Sequence, residues 1–345
     1  MIPGDNVFRF QVVRLINDPG LQCKNNFIKR WSFLLLCDTI ILGVDKVKTE
    51  KIKSSSDNLE LELIYMEPKG EIKGVVQISH GMSEHKERYY DFMEYLKDNG
   101  YAVVIHDHRG HGNSVKKRGD LGYFYTEDIN YIIDELYDVT KYIKKKYKDK
   151  KIYLFSHSMG TLVARGYIQK YDNEIEKLVL CGPPTKNELT KFAIKLSQIS
   201  KHIDKDNKPN KLLNKLTFGS YNKDKSIDNS WLSKSIDNVN NYNKDELCGF
   251  IFTSNGFINL YKLMDNAFQK DGYKMQNKSL PIFLIAGSDD PVIQSENKFL
   301  ELVDFLKKLG YKDVTSKLYK GLKHEILNEE ERNTIYKDIL NFLNK

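Results

Sequence analysis

"LFSHSMG", residues 154–160, decides how the rest of the chain is read. It closes the apolar run "KIYLFS" (151–156) and opens "MGTLVARGYIQKY", whose apolar residues recur at helical spacing. A strand that turns sharply through a serine into a helix holds that serine in a strained conformation and lifts its hydroxyl above the strand end. The residues two positions to either side of it must then be small. Gly160 meets this requirement on the helix side, and Ser156 stands where glycine is usual on the strand side. Ser156 still belongs to the strand and cannot project from the turn, so Ser158 is the candidate nucleophile. The pattern S-x-S-x-G alone is weak evidence, and its value depends on what surrounds it.

Further short β-rich runs flank this one: "LELELIYM" (59–66), "GVVQIS" (74–79), "YAVVIHD" (101–107), "KLVLCG" (177–182), "PIFLIAG" (281–287) and "TSKLYKG" (315–321). Helical periodicity lies between the later ones. Tyr89, Phe92, Met93 and Leu96 share one face in 86–98, and Ile129, Ile132, Ile133, Leu136, Val139 and Ile143 share one in 127–148. Alternating strands and helices predict an α/β fold with a mostly parallel sheet covered on both faces. The first two or three strands lack intervening helices and are expected to form an antiparallel edge. The alternation stops in 185–278, a Lys-, Asn- and Asp-rich stretch with helical segments near 186–203 and 256–268. An insertion between two sheet strands reads as a helical cap over the strand ends, where such sheets bind ligands. The core is then 45–184 together with 279–345.

A nucleophilic serine needs a base, and the base needs an orienting acid, in the chain order Ser, acid, His. "LIAGSDDPV" offers Asp289 and Asp290 after a strand, and "YKGLKHEIL" offers His324 after the last one. An oxyanion must also be met by backbone N–H groups. Met159, next to the nucleophile, is one candidate donor, and Met82, in the "SHGMSEH" loop after an early strand, is the other. His106, His108 and His111 in "IHDHRGHGNS" invite a metal reading, but no later ligand set completes it, and structural hydrogen bonding is expected. His80 is expected to tie down its loop and His202 to be solvated. No metal or cofactor is called for.

Composition sets the outer limits. The formal charge of +7 comes from lysines interleaved with acids along the chain, with no arginine-rich arm or nucleic-acid motif. Lys144, Lys145 and Lys146 close a helix, where cations favour the dipole's negative end. Cys23, Cys37, Cys181 and Cys248 show no C-x-x-C spacing, which suits a reducing, cytoplasmic setting better than a disulfide or zinc framework. Residues 1–44 stand apart, with no tyrosine among them although the whole chain has 21. Export or anchoring through 27–44 is the alternative reading of this extension. Against it, Asp38 interrupts the apolar run 31–44 and no small-x-small cleavage site follows.

Taken together, "HGMSEHKERY", "DHRGHGNS", "SHSMG", "GSDDPV" and "KHEILNE" resemble the monoacylglycerol lipase and lysophospholipase branch of the α/β-hydrolase superfamily, of the serine aminopeptidase S33 type, over residues 45–345. The stretch "WLSKSIDNVNNYNKDELCGF" (231–250) is similar to the cap of these enzymes. The resemblance implies that the acid is Asp290, which stands three residues after the strand-end glycine. It also implies that Glu84, Arg88 and His157 serve the polar end of a substrate, although a loop salt bridge would equally account for Glu84 and Arg88. The implied activity is hydrolysis of a lipid carboxylic ester through an acyl-enzyme, with transient contact between cap and membrane surface. Peptidase, acyltransferase and non-catalytic lipid-binding readings share the same fold. Lid residues Phe250, Phe252, Phe257, Leu260 and Leu263 are candidates for an acyl channel.

Overall fold

A computed structural model describes residues 47–203, 208–224 and 226–345; the extension 1–44 and the export reading lie outside them. Eight strands form one sheet: β1 (Lys48–Lys53), β2 (Glu60–Met66), β3 (Gly74–Ser79), β4 (Tyr101–His106), β5 (Ile152–His157), β6 (Lys177–Cys181), β7 (Ile282–Gly287) and β8 (Val314–Tyr319). Their spatial order is β1-β2-β4-β3-β5-β6-β7-β8. β1, β2 and β4 pair antiparallel, whereas β4, β3 and β5 to β8 run parallel. The antiparallel edge expected from the first runs is therefore only partly as anticipated, because β3 inserts itself parallel between β4 and β5. β1 had no counterpart in the sequence reading. "KTEKIK" is charged and mostly exposed, the composition of an edge strand that must resist pairing with other chains.

The strands are apolar on both sides because both sides are covered. Val75, Ala102, Val104, Ile152, Leu154, Leu178 and Leu180 face one core, and Val76, Ile78, Val103, Ile105, Tyr153, Phe155 and Val179 face the other. The first core is closed by α2 (Asn130–Lys146), α3 (Met159–Tyr171) and α8 (Glu296–Leu309), the second by α1 (Tyr90–Asp98) and α9 (Arg332–Asn344). Each large aliphatic side chain buried this way contributes about 1.5–3 kcal/mol, which makes the sheet a rigid base for whatever its carboxyl ends carry.

Between β6 and β7 lie α4 (Thr190–Ile203), α5 (Lys211–Phe218), α6 (Ile236–Lys244) and α7 (Ser254–Asn266). α4 and α7 answer the two expected segments. α5 and α6 are too short to show a clear periodicity, and start instead at capping side chains: Asn210 accepts from Leu213 N and Ser235 from Asn238 N. Among the described residues no helix is long and apolar enough to cross a membrane.

Candidate active site

Ser158 has φ +51° and ψ −120°, a conformation an L-residue adopts only under constraint. Its N–H donates to Cys181 O at 2.9 Å, and its carbonyl accepts from Thr161 N and Thr161 Oγ1. The tightness explains the glycine: a Cβ on Gly160 would stand 2.2 Å from Ser79 O and 2.6 Å from His80 O. Ser156 is fully buried, and its hydroxyl donates to Val179 O at 2.9 Å. The hydroxyl carried where glycine is usual is thus satisfied within the sheet.

Three loops at the strands' carboxyl ends bring distant residues to this turn. His324 Nε2 lies 2.8 Å from Ser158 Oγ, and His324 Nδ1 lies 2.8 Å from Asp290 Oδ2. The second Asp290 oxygen accepts from Val292 N at 2.8 Å, which fixes the carboxylate's orientation. With Nδ1–H donating to the carboxylate, Nε2 is left to accept the serine proton. Asp289 is exposed and bonds to Ser288 instead. Gly182, which the sequence reading passed over, has φ +56°, and a Cβ there would stand 3.1 Å from the His324 ring.

Ser158 and His324 border an open cavity of about 1110 Å³, part of it continuous with solvent, which Met82, Met159, Glu84 and His157 also line. Phe250 and Leu260 line it too, but Phe252, Phe257 and Leu263 are packed in the core and do not. Arg88 does not line this cavity but a smaller adjoining one with Glu84, His157 and Glu325, where it makes the loop salt bridge that was the other reading of it. Its guanidinium donates to Glu84 Oε2 at 2.8 Å and to both oxygens of Glu325 at 2.6 and 2.7 Å. It also reaches Asn238 at 3.2 Å and lies over the Tyr242 ring. Glu84 in turn accepts from Tyr89 Oη at 3.0 Å and faces His157 Nδ1 at 3.2 Å.

Burial would raise the carboxyl pKa of Glu84, but the His157 hydrogen bond and Arg88 hold it well below the usual range. Burial opposes the Glu325 carboxylate as well, and Arg88 keeps it ionised. For His157 burial disfavours the cation, yet Glu84 and then Glu325 raise its pKa above the ordinary value. Glu325 and Trp231, whose ring centroid is 5.2 Å from that of His324, had no assigned role in the sequence reading. Both lie inside quoted motifs, and only their three-dimensional neighbours distinguish them.

The buried "HDHRGH" histidines behave unevenly. His108 Nε2 meets Ser79 Oγ, His80 Nε2 accepts from His108 N, and His111 Nδ1 meets Arg109 O, all near 3 Å. For His106 the expectation fails, since neither ring nitrogen has a hydrogen-bond partner among the described residues. His202 is exposed, as anticipated.

A mostly parallel sheet with a serine at a strained strand–helix turn, under a helical cap, defines a serine hydrolase of the α/β-hydrolase fold. The chain belongs to the serine aminopeptidase S33 family, which matches residues 70–331. It is 28% identical to mouse monoglyceride lipase, over 80% of this chain and 83% of that protein. It is 25% identical to a monoacylglycerol lipase of Mycolicibacterium smegmatis, over 80% and 90% respectively. In fold it is similar to a thermostable carboxyl esterase from Bacillus coagulans solved with glycerol, with a TM-score of 0.80 and 23% identity over 86% of this chain and 98% of that one.

Proposed function

We infer that the protein hydrolyses the ester of a monoacylglycerol-like lipid, with Ser158 as nucleophile, His324 as base and Asp290 as its orienting acid. The observation that carries this reading is the Ser158–His324–Asp290 chain, 2.8 Å at each link, at the wall of a cavity lined by both polar and apolar side chains. His324 takes the Ser158 proton as Oγ attacks the ester carbonyl. The amides of Met82 and Met159 receive the oxyanion, a contribution of about 3–4 kcal/mol per donor to the barrier. His324 then protonates the leaving alcohol, activates water, and the acyl-enzyme is released as fatty acid. Met82, Leu162, Phe218, Phe250, Leu260 and Met264 suit an acyl chain. Glu84, His157 and Glu325 suit the hydroxyls of a polar end, with Arg88 holding the two carboxylates in place from behind. The relatives named as monoglyceride lipases support this choice of substrate.

The family's name raises an aminopeptidase reading, in which the cavity carboxylates would bind an α-ammonium. Those carboxylates are already matched by Arg88 and His157, which argues against a free cation there. A membrane-facing role belongs to α4 and α5. Leu189, Phe192, Ile199, Ile203, Leu212 and Leu216 are 58–80% exposed, and Lys191, Lys195, Lys211 and Lys215 lie among them. Exposed apolar residues interleaved with cations fit an anionic lipid surface. Cys181 and Cys248 are free thiols, in keeping with a cytoplasmic setting.

The test is labelling by a fluorophosphonate beside turnover of monoacylglycerol, lysophospholipid, a short ester and an aminoacyl-naphthylamide. Ser158→Ala is expected to lose labelling and at least about 10⁴-fold in kcat, while Ser156→Ala keeps both. Labelling that survives in Ser158→Ala, or a preference for the naphthylamide, sinks the reading.

A further inference from the structure

Three side chains of different chemistry meet where the loop after β3 touches the end of α6, and the proposed hydrolysis uses none of them. His85 offers a ring nitrogen, Asp245 a carboxylate oxygen and Cys248 its sulfur, all within 4.8 Å of one another. His85 and Cys248 are buried, while the Asp245 side chain is 36% exposed and opens the cluster to solvent. His85 Nε2 lies 2.9 Å from Asp245 Oδ2, and His85 Nδ1 has no hydrogen-bond partner among the described residues.

The local backbone holds this arrangement. Asp245 Oδ1 accepts from Leu247 N at 2.8 Å and Cys248 N donates to Asp245 O at 3.0 Å, a turn that brings carboxylate and sulfur together. A His–Asp pair alone needs no third group. A buried thiol within reach of both makes the set one nitrogen, one oxygen and one sulfur, which suits a borderline-soft divalent ion and not an oxygen-seeking one. Tetrahedral ligands of zinc stand about 3.3–3.8 Å apart, so the cluster closes by at most about 1.5 Å while the His85–Asp245 pair opens slightly.

We propose that His85, Asp245 and Cys248 form a binding site for zinc or a similar divalent ion, with water as fourth ligand. On binding, Cys248 gives its proton to solvent, and the two anionic ligands cancel the charge of the ion. One ligand sits on the loop that carries Met82 and Glu84, and two sit in the insertion. The ion therefore pins the insertion to the edge of the active-site cavity and slows turnover by restraining it.

Cobalt reads the site directly. The full chain, stripped with EDTA and desalted, is titrated with Co²⁺ and then with Zn²⁺. We expect one Co²⁺ per chain with a near-ultraviolet thiolate charge-transfer band and intense tetrahedral visible bands, displaced by Zn²⁺. Cys248→Ser should lose the charge-transfer band, and Cys248→Ser and Asp245→Asn should each weaken zinc at least tenfold. Cys181→Ala, Cys23→Ser and Cys37→Ser should leave the spectrum unchanged. Zinc should also slow ester turnover reversibly in wild type but not in Cys248→Ser. That arm alone rests on the proposed hydrolysis, and the spectrum separates the two. A wild-type spectrum that stays octahedral at millimolar cobalt, or a charge-transfer band that persists in Cys248→Ser, overturns the site.

Discussion

The two halves of the insertion are built on opposite principles. Residues 229–250 are fastened to the hydrolase core by polar contacts. Glu325 N donates to Leu232 O at 2.7 Å, and Glu329 accepts from Ser233 Oγ and the backbone of Lys234 and Ser235. Tyr242 Oη and Gly249 N both donate to Ser83 O. α4 and α5, in contrast, turn an apolar face outward. Half of the roof is thus locked to the two loops that carry His324 and Met82, while the other half exposes apolar side chains. If the outward face meets a lipid surface as proposed, one half would keep the cavity wall fixed while the other meets the substrate's own phase.

The strongest way to break this contrast is through Arg88, which joins the β3 loop, α6 and the His324 loop. Arg88→Met leaves Glu84 and Glu325 buried without their cation, a change that costs about 3–5 kcal/mol. Urea unfolding should register that loss, and kcat/KM for a monoacylglycerol should fall at least tenfold. Glu325→Gln, which removes one of the two carboxylates, should cost less. Equal stability for wild type and Arg88→Met would mean that the clasp is not what holds this half.

Acid acts on the core beneath the β3 loop. His80 begins the loop that holds Ser83 and His85, and its ring lies 4.5 Å from that of His108, which in turn contacts His106. Burial lowers the pKa of His106 to about 4. The unfolded chain therefore binds its proton near pH 6.5 while the folded chain does not, so stability falls as pH drops from about 6.5 toward 4. At pH 5 this one residue accounts for about 2 kcal/mol. His106→Leu should flatten the loss of unfolding free energy between pH 7 and 5 by that amount. An unchanged slope would place the acid sensitivity elsewhere.

How much of this could be read in advance depends on how far each feature reaches. The sheet and its covering helices were legible because burial on both faces writes itself as continuous apolar runs such as "YAVVIH" and "IYLFS". Ser158, Asp290 and His324, which the structure brings within hydrogen-bond reach of one another, were expected together because each follows a strand-like run, although choosing Asp290 over Asp289 needed the family's spacing. β1, α5 and α6 were not, since an edge strand and two short capped helices carry no clear apolar period. The Glu84–Arg88 loop salt bridge was open as a reading and is present, but nothing local in "HKERY" shows that Glu325, more than two hundred residues later, also claims the guanidinium. Glu325 itself was hidden for the same reason.

The outward half gives the smallest and most selective effect. Phe192, Ile199 and Leu216 contribute nothing evident to the core, so replacing all three by serine should leave unfolding free energy within about 0.5 kcal/mol per site. A short soluble ester should be turned over at the wild-type rate, because Ser158, His324 and the clasped half are untouched. Sedimentation with anionic vesicles should fall about tenfold, since each lost side chain removes part of the buried apolar area that drives interfacial binding. Raising salt should weaken the wild type further by screening the interleaved lysines. If the triple variant instead loses short-ester turnover along with vesicle binding, the two halves act as one, and the division between a locked wall and a free face is wrong.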